Sequence, residues 1–274
     1  MKDSPLIILK EVQHFSELPK DFISGYHTHL LCLKGRMSFD FNKRKMHCKA
    51  GDFVFWFAES KVENLSFSKN FKSKILLVEK QFLLDNIPDQ NWGIDATLFS
   101  RENPVKKPED KLERRKILAS FEALHDRFLE TDHRFYSEAL RLQMQIFVLE
   151  MWHLFARHYE RRKRSLQSGT HFEKFIVLVE EHCLKEREVQ FYSRQLNITP
   201  KYLNHISKAT SGITASEWIQ RYVQERLIIL LQNKNLNIAE IADEMEFSSR
   251  SFFTRYVKKV LGVTPTEYRQ RLNI

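Results

Sequence analysis

The sequence predicts a two-domain α+β chain: an antiparallel β-barrel with following helices in residues 1–160, a basic linker at 161–169, and an all-α domain of two helix-turn-helix units joined by a linking helix in 170–274. Three observations predict it. The first 85 or so residues alternate apolar and polar side chains, residues from about 110 change to a helical period, and residues 189–271 state one pattern twice.

Composition sets the outer limits. The 274 residues are 42% hydrophobic and 12% aromatic, enough apolar mass for two cores. The run Leu6-Ile-Ile-Leu9 is too short for the apolar region of a signal peptide, and runs such as 53–58 fall far short of the roughly 18 residues that span a bilayer. A cytoplasmic protein with no membrane partner is expected. Cys32, Cys48 and Cys183 are odd in number and scattered, which fits reduced thiols and offers no zinc spacing. Net charge is +9; residues 161–274 hold 19 Lys and Arg against 12 Asp and Glu, whereas 1–160 hold 25 against 23. A positive excess concentrated in one domain is what nucleic-acid binding requires, and a charge serving only solubility would not be partitioned in this way.

In the barrel region Met37, Phe39 and Phe41 alternate with Ser38, Asp40 and Asn42, and Phe53, Phe55 and Phe57 alternate with Val54 and Trp56. A turn at 42–45 separates strands, Gly35 and Gly51 punctuate their edges, and Ile75-Leu-Leu-Val78 supplies a further strand. Short strands at this spacing form a small antiparallel barrel or sandwich. Phe39, Phe41, Phe53 and Phe55, with His27 and His29, are candidates for a pocket that takes a small-molecule effector; the same aromatic crowd also reads as the barrel's own core.

His27-Thr-His29 sets two imidazoles on one face of a strand, which raises the rival reading of a metal-dependent enzyme. A metal site needs a third and a fourth ligand, yet the chain continues Leu30-Leu-Cys-Leu33, and His47 and Cys48, being adjacent, point to opposite faces. Ordinary core histidines are expected, with no metal and no cofactor. No Gly-rich phosphate loop and no nucleophile elbow occurs, so no catalytic residue is assigned and no enzyme is expected.

Two amphipathic helices come next along the chain. Ile117, Phe121, Leu124 and Phe128 recur within 112–131, and Leu140, Met144, Phe147, Met151, Leu154 and Phe155 within 135–159. They either pack onto the barrel or form a seam between two copies of the chain. Glu160-Arg-Arg-Lys-Arg-Ser-Leu-Gln-Ser-Gly169 is polar and basic and reads as the linker, with Thr170-His-Phe-Glu173 capping the next helix.

The repeated pattern then begins. Val189, Tyr192, Ser193 and Leu196 recur as Ile238, Ile241, Ala242 and Met245, one helix face written twice. Tyr202-Leu203, Lys208, Gly212, Thr214, Glu217 and Trp218 recur as Phe252-Phe253, Lys258, Gly262, Thr264, Glu267 and Tyr268, with one extra residue in the second turn. Thr199 and Pro200 start the second helix of the first unit, Ser248 caps its counterpart, and Gly212 and Gly262 stop both. Thr214 with Glu217, and Thr264 with Glu267, form capping boxes, each opening a further helix. The linking helix, from Thr214 to about 233, carries Trp218, Tyr222, Leu227, Leu230 and Leu231 in an apolar stripe.

Two helices joined by a tight turn can lay the second in a major groove. With Tyr202, Leu203 and Ile206 turned inward, the first such helix exposes Lys201, Asn204, His205 and Lys208. With Phe252, Phe253 and Tyr256 inward, the second exposes Arg250, Ser251, Thr254, Arg255 and Lys258, with Lys259 nearby. These are donors for base edges and phosphates, without a carboxylate among them.

Residues from about 170 onward resemble the DNA-binding domain of the AraC/XylS family of transcription regulators. The resemblance rests on Ile238-Ala-Glu-Ile-Ala242, Phe247-Ser-Ser-Arg-Ser-Phe-Phe253, Arg255-Tyr-Val-Lys-Lys259 and Gly262-Val-Thr-Pro-Thr-Glu-Tyr-Arg269. The family usually has Gly where Glu246 stands, an aromatic residue at Val257, and Ser or Thr followed by Pro at Thr214-Ala215. The first domain resembles, more weakly, the cupin-like barrel that many such regulators carry as a sensory domain, through Gly51-Asp52-Phe53.

The resemblance implies recognition helices in successive major grooves of double-stranded DNA. It implies base contacts from Lys201, Asn204, His205, Arg250, Ser251, Thr254 and Arg255, and the donor chemistry assigns phosphate contacts to Lys208, Lys258 and Lys259. It further implies RNA polymerase as a partner if the protein is an activator, and a homodimer. The competing readings are the metal-dependent cupin enzyme and a helical protein-interaction module.

Overall fold

The structure, a computed structural model, describes residues 5–88, 94–164 and 170–271. It divides into two compact units after Phe155. In the first, β1 (Ile7–Val12), a 3-10 turn (Phe15–Glu17) and α1 (Phe22–Gly25) precede β2 (Tyr26–Lys34), β3 (Arg36–Phe41), β4 (Arg44–Lys49), β5 (Phe53–Trp56), β6 (Val62–Phe67) and β7 (Lys72–Glu79). Then come α2 (Lys80–Asn86), α3 (Ile94–Glu102), β8 (Val105–Lys106), α4 (Lys111–Leu129) and α5 (Tyr136–Arg164), of which the part up to Phe155 belongs to this unit.

The described strands pair antiparallel in two sheets, ordered β1-β7-β2-β5-β8 and β4-β3-β6. Local chemistry fixes the register. Asn42 and Lys43 both have positive φ, +50° and +64°, as the two-residue turn between β3 and β4 demands. Gly35 has φ +73°, and a Cβ there would lie 2.5 Å from the Ser68 hydroxyl and 2.8 Å from the Phe71 Cα. No side chain fits that corner.

Alternation along the strands separates two cores. Between the sheets lie Tyr26, Leu30 and Cys32 of β2 with Phe39 and Phe41 of β3, Trp56 of β5 and Leu77 of β7. On the other face of the larger sheet, Leu31, Phe53, Leu76 and Val78 pack against Ile117, Phe121 and Leu124 of α4 and Leu140, Met144 and Phe147 of α5. The unit is a three-layer stack of small sheet, large sheet and helices. Both helices therefore pack onto the barrel, one of the two arrangements their periodicity allows.

The same parity corrects the grouping of candidate pocket residues. Phe39 and Phe41 belong to the core between the sheets, whereas Phe53 and Phe55 belong to the core under the helices. His27 and His29 share the second side: the His29 ring lies 4.7 Å from Phe55 and 4.9 Å from Phe147, and His27 lies 5.8 Å from Phe57. The six do not line one cavity. The linker reading changes too, since α5 continues to Arg164; residues 165–169 lie outside the described residues.

The second unit comprises α6 (His171–His182), α7 (Val189–Gln195), α8 (Pro200–Ser211), α9 (Ala215–Gln232), α10 (Ile238–Glu244), α11 (Arg250–Leu261) and α12 (Pro265–Arg271). The 18-residue α9 is its axle, about 27 Å long at about 1.5 Å per residue. Its stripe of Trp218, Ile219, Tyr222, Val223, Leu227, Leu230 and Leu231 is buried, and it packs against α6, α7, α8, α10 and α12. Among the described residues no helix is long and apolar enough to cross a membrane.

Candidate nucleic-acid interface

The pairs α7–α8 and α10–α11 are built alike from the backbone up. After α7, Asn197 adopts φ +55° and the next amide, of Ile198, donates to the Ser193 carbonyl at 3.0 Å. After α10, Glu246 adopts φ +51° and the Phe247 amide donates to the Ala242 carbonyl at 3.0 Å. Both turns are Schellman closures, in which a left-handed residue lets the chain satisfy the helix's last carbonyls. Glu246, standing where the family places Gly, takes the conformation Gly would take, and its carboxylate meets the Lys185 ammonium at 2.5 Å.

Caps then aim the second helices. The Thr199 hydroxyl accepts from the Tyr202 amide at 3.2 Å with Pro200 in the first turn, and the Ser249 hydroxyl accepts from the Phe252 amide at 3.2 Å. The second cap is thus Ser249 and not its neighbour Ser248: the extra residue in that turn shifts the start by one. Both helices end at left-handed glycines, Gly212 at φ +83° and Gly262 at +78°.

The inward rows are Leu203 with Ser207 and Phe253 with Val257, four apart in each copy. Ser207 hides its polarity by donating to the Leu203 carbonyl at 2.7 Å. Tyr202 and Phe252, expected to face inward, are instead 46% and 50% exposed, because each precedes the inward residue and is turned about 100° from it. Ile206 and Tyr256 are half-buried. The outer face carries Lys201, His205 and Lys208 on α8, and Arg250, Ser251, Arg255, Lys258 and Lys259 on α11, all exposed; Thr254 is half-buried. Neither helix contains a carboxylate.

Asn204 is engaged elsewhere. Its Oδ1 accepts from the Ala215 amide at 3.1 Å and the Ser216 amide at 3.5 Å, so it holds the start of α9. It shares that duty with the capping box, in which the Thr214 amide donates to Glu217 at 2.7 Å and the Glu217 amide donates to the Thr214 hydroxyl at 3.3 Å. The Thr264 and Glu267 pair repeats this at 2.7 and 3.2 Å. Hydrogen bonds from the backbone and hydroxyl of Thr214 hold the Glu217 carboxyl below its usual range, with Lys208 adding to the effect; Thr264 and Lys258 do the same for Glu267.

Two arginines that no sequence pattern singles out for this role make the domain one body. The Arg187 guanidinium stacks 4.3 Å over Phe247 and donates to the Leu184 and Met245 carbonyls, tying the start of the first unit to the turn of the second. Arg269 donates to the carbonyls of Leu231 at 3.0 Å, Asn233 at 2.8 Å and Leu236 at 2.6 Å, closing the end of α9. Arg269 does sit at the end of the motif that starts at Gly262, but its role needs the fold to be seen; Arg187 carries no local signal at all.

Residues 192–271 match a family model described as a helix-turn-helix domain. The transcriptional regulator ExsA of Pseudomonas aeruginosa is 31% identical over 107 residues, 38% of this chain and 37% of that protein. RhaR, a transcriptional activator of Mannheimia succiniciproducens, is 24% identical over 135 residues, 49% of this chain and 46% of its own. Among solved structures, the C-terminal domain of the response regulator yesN from Fusobacterium nucleatum is 26% identical, covering 35% of this chain and 95% of that domain with a TM-score of 0.32. The chain thus spans less than half the length of these curated relatives. The matched residues, 192–271, hold the capped second helices with their basic outer faces, and they are a helix-turn-helix domain of the AraC type.

Proposed function

We propose that the chain is a cytoplasmic transcription regulator that reads double-stranded DNA with α8 and α11 in successive major grooves. The observation that carries this reading is the pair of capped second helices that present cationic, polar and aromatic side chains outward and no carboxylate, on a domain whose α9 and two arginines hold them in one body. Lys201, His205, Arg250, Ser251 and Arg255 are the base-reading groups, with Arg250 and Arg255 suited to bidentate guanine contacts. Lys208, Lys258 and Lys259 take phosphates. Asn204 serves as a bracket for α9, and Thr254 contacts DNA from the rim.

The first unit is the input and assembly side. Leu142, Ile146 and Leu149 lie exposed at i, i+4 and i+7 on α5, the apolar row through which a second copy would dock to form a homodimer. A regulator of this kind acts on RNA polymerase when it activates.

Selection of the full chain against random duplexes at two salt concentrations, followed by sequencing, tests the reading. Two short elements about one helical turn apart are the expected outcome. Retention that falls with salt and enriches no motif would reduce the domain to a nonspecific basic surface.

A further inference from the structure

We propose that the outer face of the small sheet holds a binding site for a phosphate monoester on a small hydroxylated molecule. The argument starts from register. Arg36 of β3 lies directly opposite Lys49 of β4, and in the next outward row Ser38 faces His47 on one side and Ser66 of β6 on the other. Like charges directly opposite each other across two strands destabilise a sheet. Neither Arg36 nor Lys49 has an ion pair among the described residues, so no salt bridge offsets the repulsion. The carboxylate of Asp52, which also lines the cleft, is buried and accepts from the Lys49 amide at 2.9 Å, which fixes it to the turn.

These rows line a cleft of about 720 Å³, with Lys107, just past β8, as its third full cation. That volume suits a metabolite. Three cations invite more than one negative charge, and a phosphate monoester carries about 1.5 to 2 at neutral pH with three acceptor oxygens. Hydroxyls supply the complementary half: the Ser38 and Ser66 oxygens lie 2.9 Å apart, and Ser68 accepts from the Arg36 amide and donates to Asn70, both at 2.9 Å. The rim is therefore fixed, while three cations face the single carboxylate of Asp52. The site lies entirely in the first unit and does not depend on the DNA-binding reading. Its use as an effector site would.

Calorimetric titration of the full chain tests it, with glucose 6-phosphate as probe and glucose, inorganic phosphate and citrate as comparisons. Saturable binding of one glucose 6-phosphate per chain is expected, weaker binding of inorganic phosphate, and none of glucose. Lys49→Thr and Arg36→Ser, both at exposed strand positions, should each weaken it at least about tenfold. Without ligand, Lys49→Thr should melt no lower than the parent, because it removes repulsion. Lys258→Ala, on the DNA face, should leave probe binding intact; loss of probe binding in that variant would move the anion to the other domain and overturn the proposal. So would the absence of saturable binding, equal binding by all variants, or citrate binding where both phosphates fail.

Discussion

Asn204 and Arg255 sit one step apart in the repeat, and the structure gives them different work. Arg255 ends in solvent, within 5.8 Å of the Phe252 ring, whereas Asn204 is bonded to two amides of α9. Arg255→Ala should leave thermal stability unchanged and cost about 1–3 kcal/mol of discrimination at one base pair, read by competition binding against altered sites. Asn204→Ala should do the reverse, costing about 1 kcal/mol in urea unfolding with sequence preference retained. A loss of preference from Asn204→Ala in the folded protein would return that residue to the base-reading set. His29 offers a second test at this scale. Burial holds the imidazoles of His27 and His29 down to about 3 from the ordinary 6.5, so both stay neutral in the folded chain while the unfolded chain takes up protons. Stability therefore falls as pH drops below 6.5 and goes on falling towards the folded value. At about 1.4 kcal/mol per pH unit, each histidine removes on the order of 2 kcal/mol by about pH 5. His29→Leu should flatten that slope, and an unchanged slope would show that the ring already binds a proton in the fold.

Among the elements, the short helices of the second unit are legible in the sequence because their signals are local. Thr199-Pro200, Gly212, Thr214 with Glu217, and Gly262 each act within a turn of chain, and each takes its expected place. Ser248 reads as the cap in place of Ser249 because two adjacent serines offer the same chemistry and only the turn's path chooses between them. Tyr202 and Phe252 read as core because an apolar ring suggests burial, while their outward direction is set by the inward residues beside them. The strands β6 and β8 and the helices α2 and α3 are not legible: β8 has two residues, and β6 leaves most of its side chains at least partly exposed, so neither leaves a clear period. The capping boxes carry their own pH signature. The lowered Glu217 and Glu267 carboxyls contribute stability that is present above the usual carboxyl range near 4.5 and is lost as pH falls through their folded values. Glu217→Ala should therefore lose stability at neutral pH and show a shallower acid limb below it. Glu246→Gly tests the turn: Gly relieves a left-handed strain of about 1–2 kcal/mol, set against its own chain entropy of about 0.5–1 kcal/mol and the removal of an exposed ion pair. A small net gain in the denaturation midpoint is expected, and a large loss would mean that Lys185 and Glu246 hold the turn together.

For the molecule as a whole, the proposed reading gives one repeated unit two halves that act on separate stretches of DNA. Neutralising Lys208 or Lys258 should weaken binding to every sequence alike and reduce the salt slope by about one unit for each phosphate no longer neutralised. A change of sequence preference on either exchange would assign that lysine to a base. The pairing also has a thermal side. Tyr202 and Phe252 hold two large rings in water at the same position of the two groove-facing helices, an arrangement that leaves the free protein carrying apolar surface. If α8 and α11 dock as proposed, covering those rings against thymine methyls or sugar edges should give association a negative heat-capacity change, so its enthalpy should fall steadily with temperature. Calorimetry of DNA binding at several temperatures reads that slope directly, and replacing both rings with Ser should make it shallower.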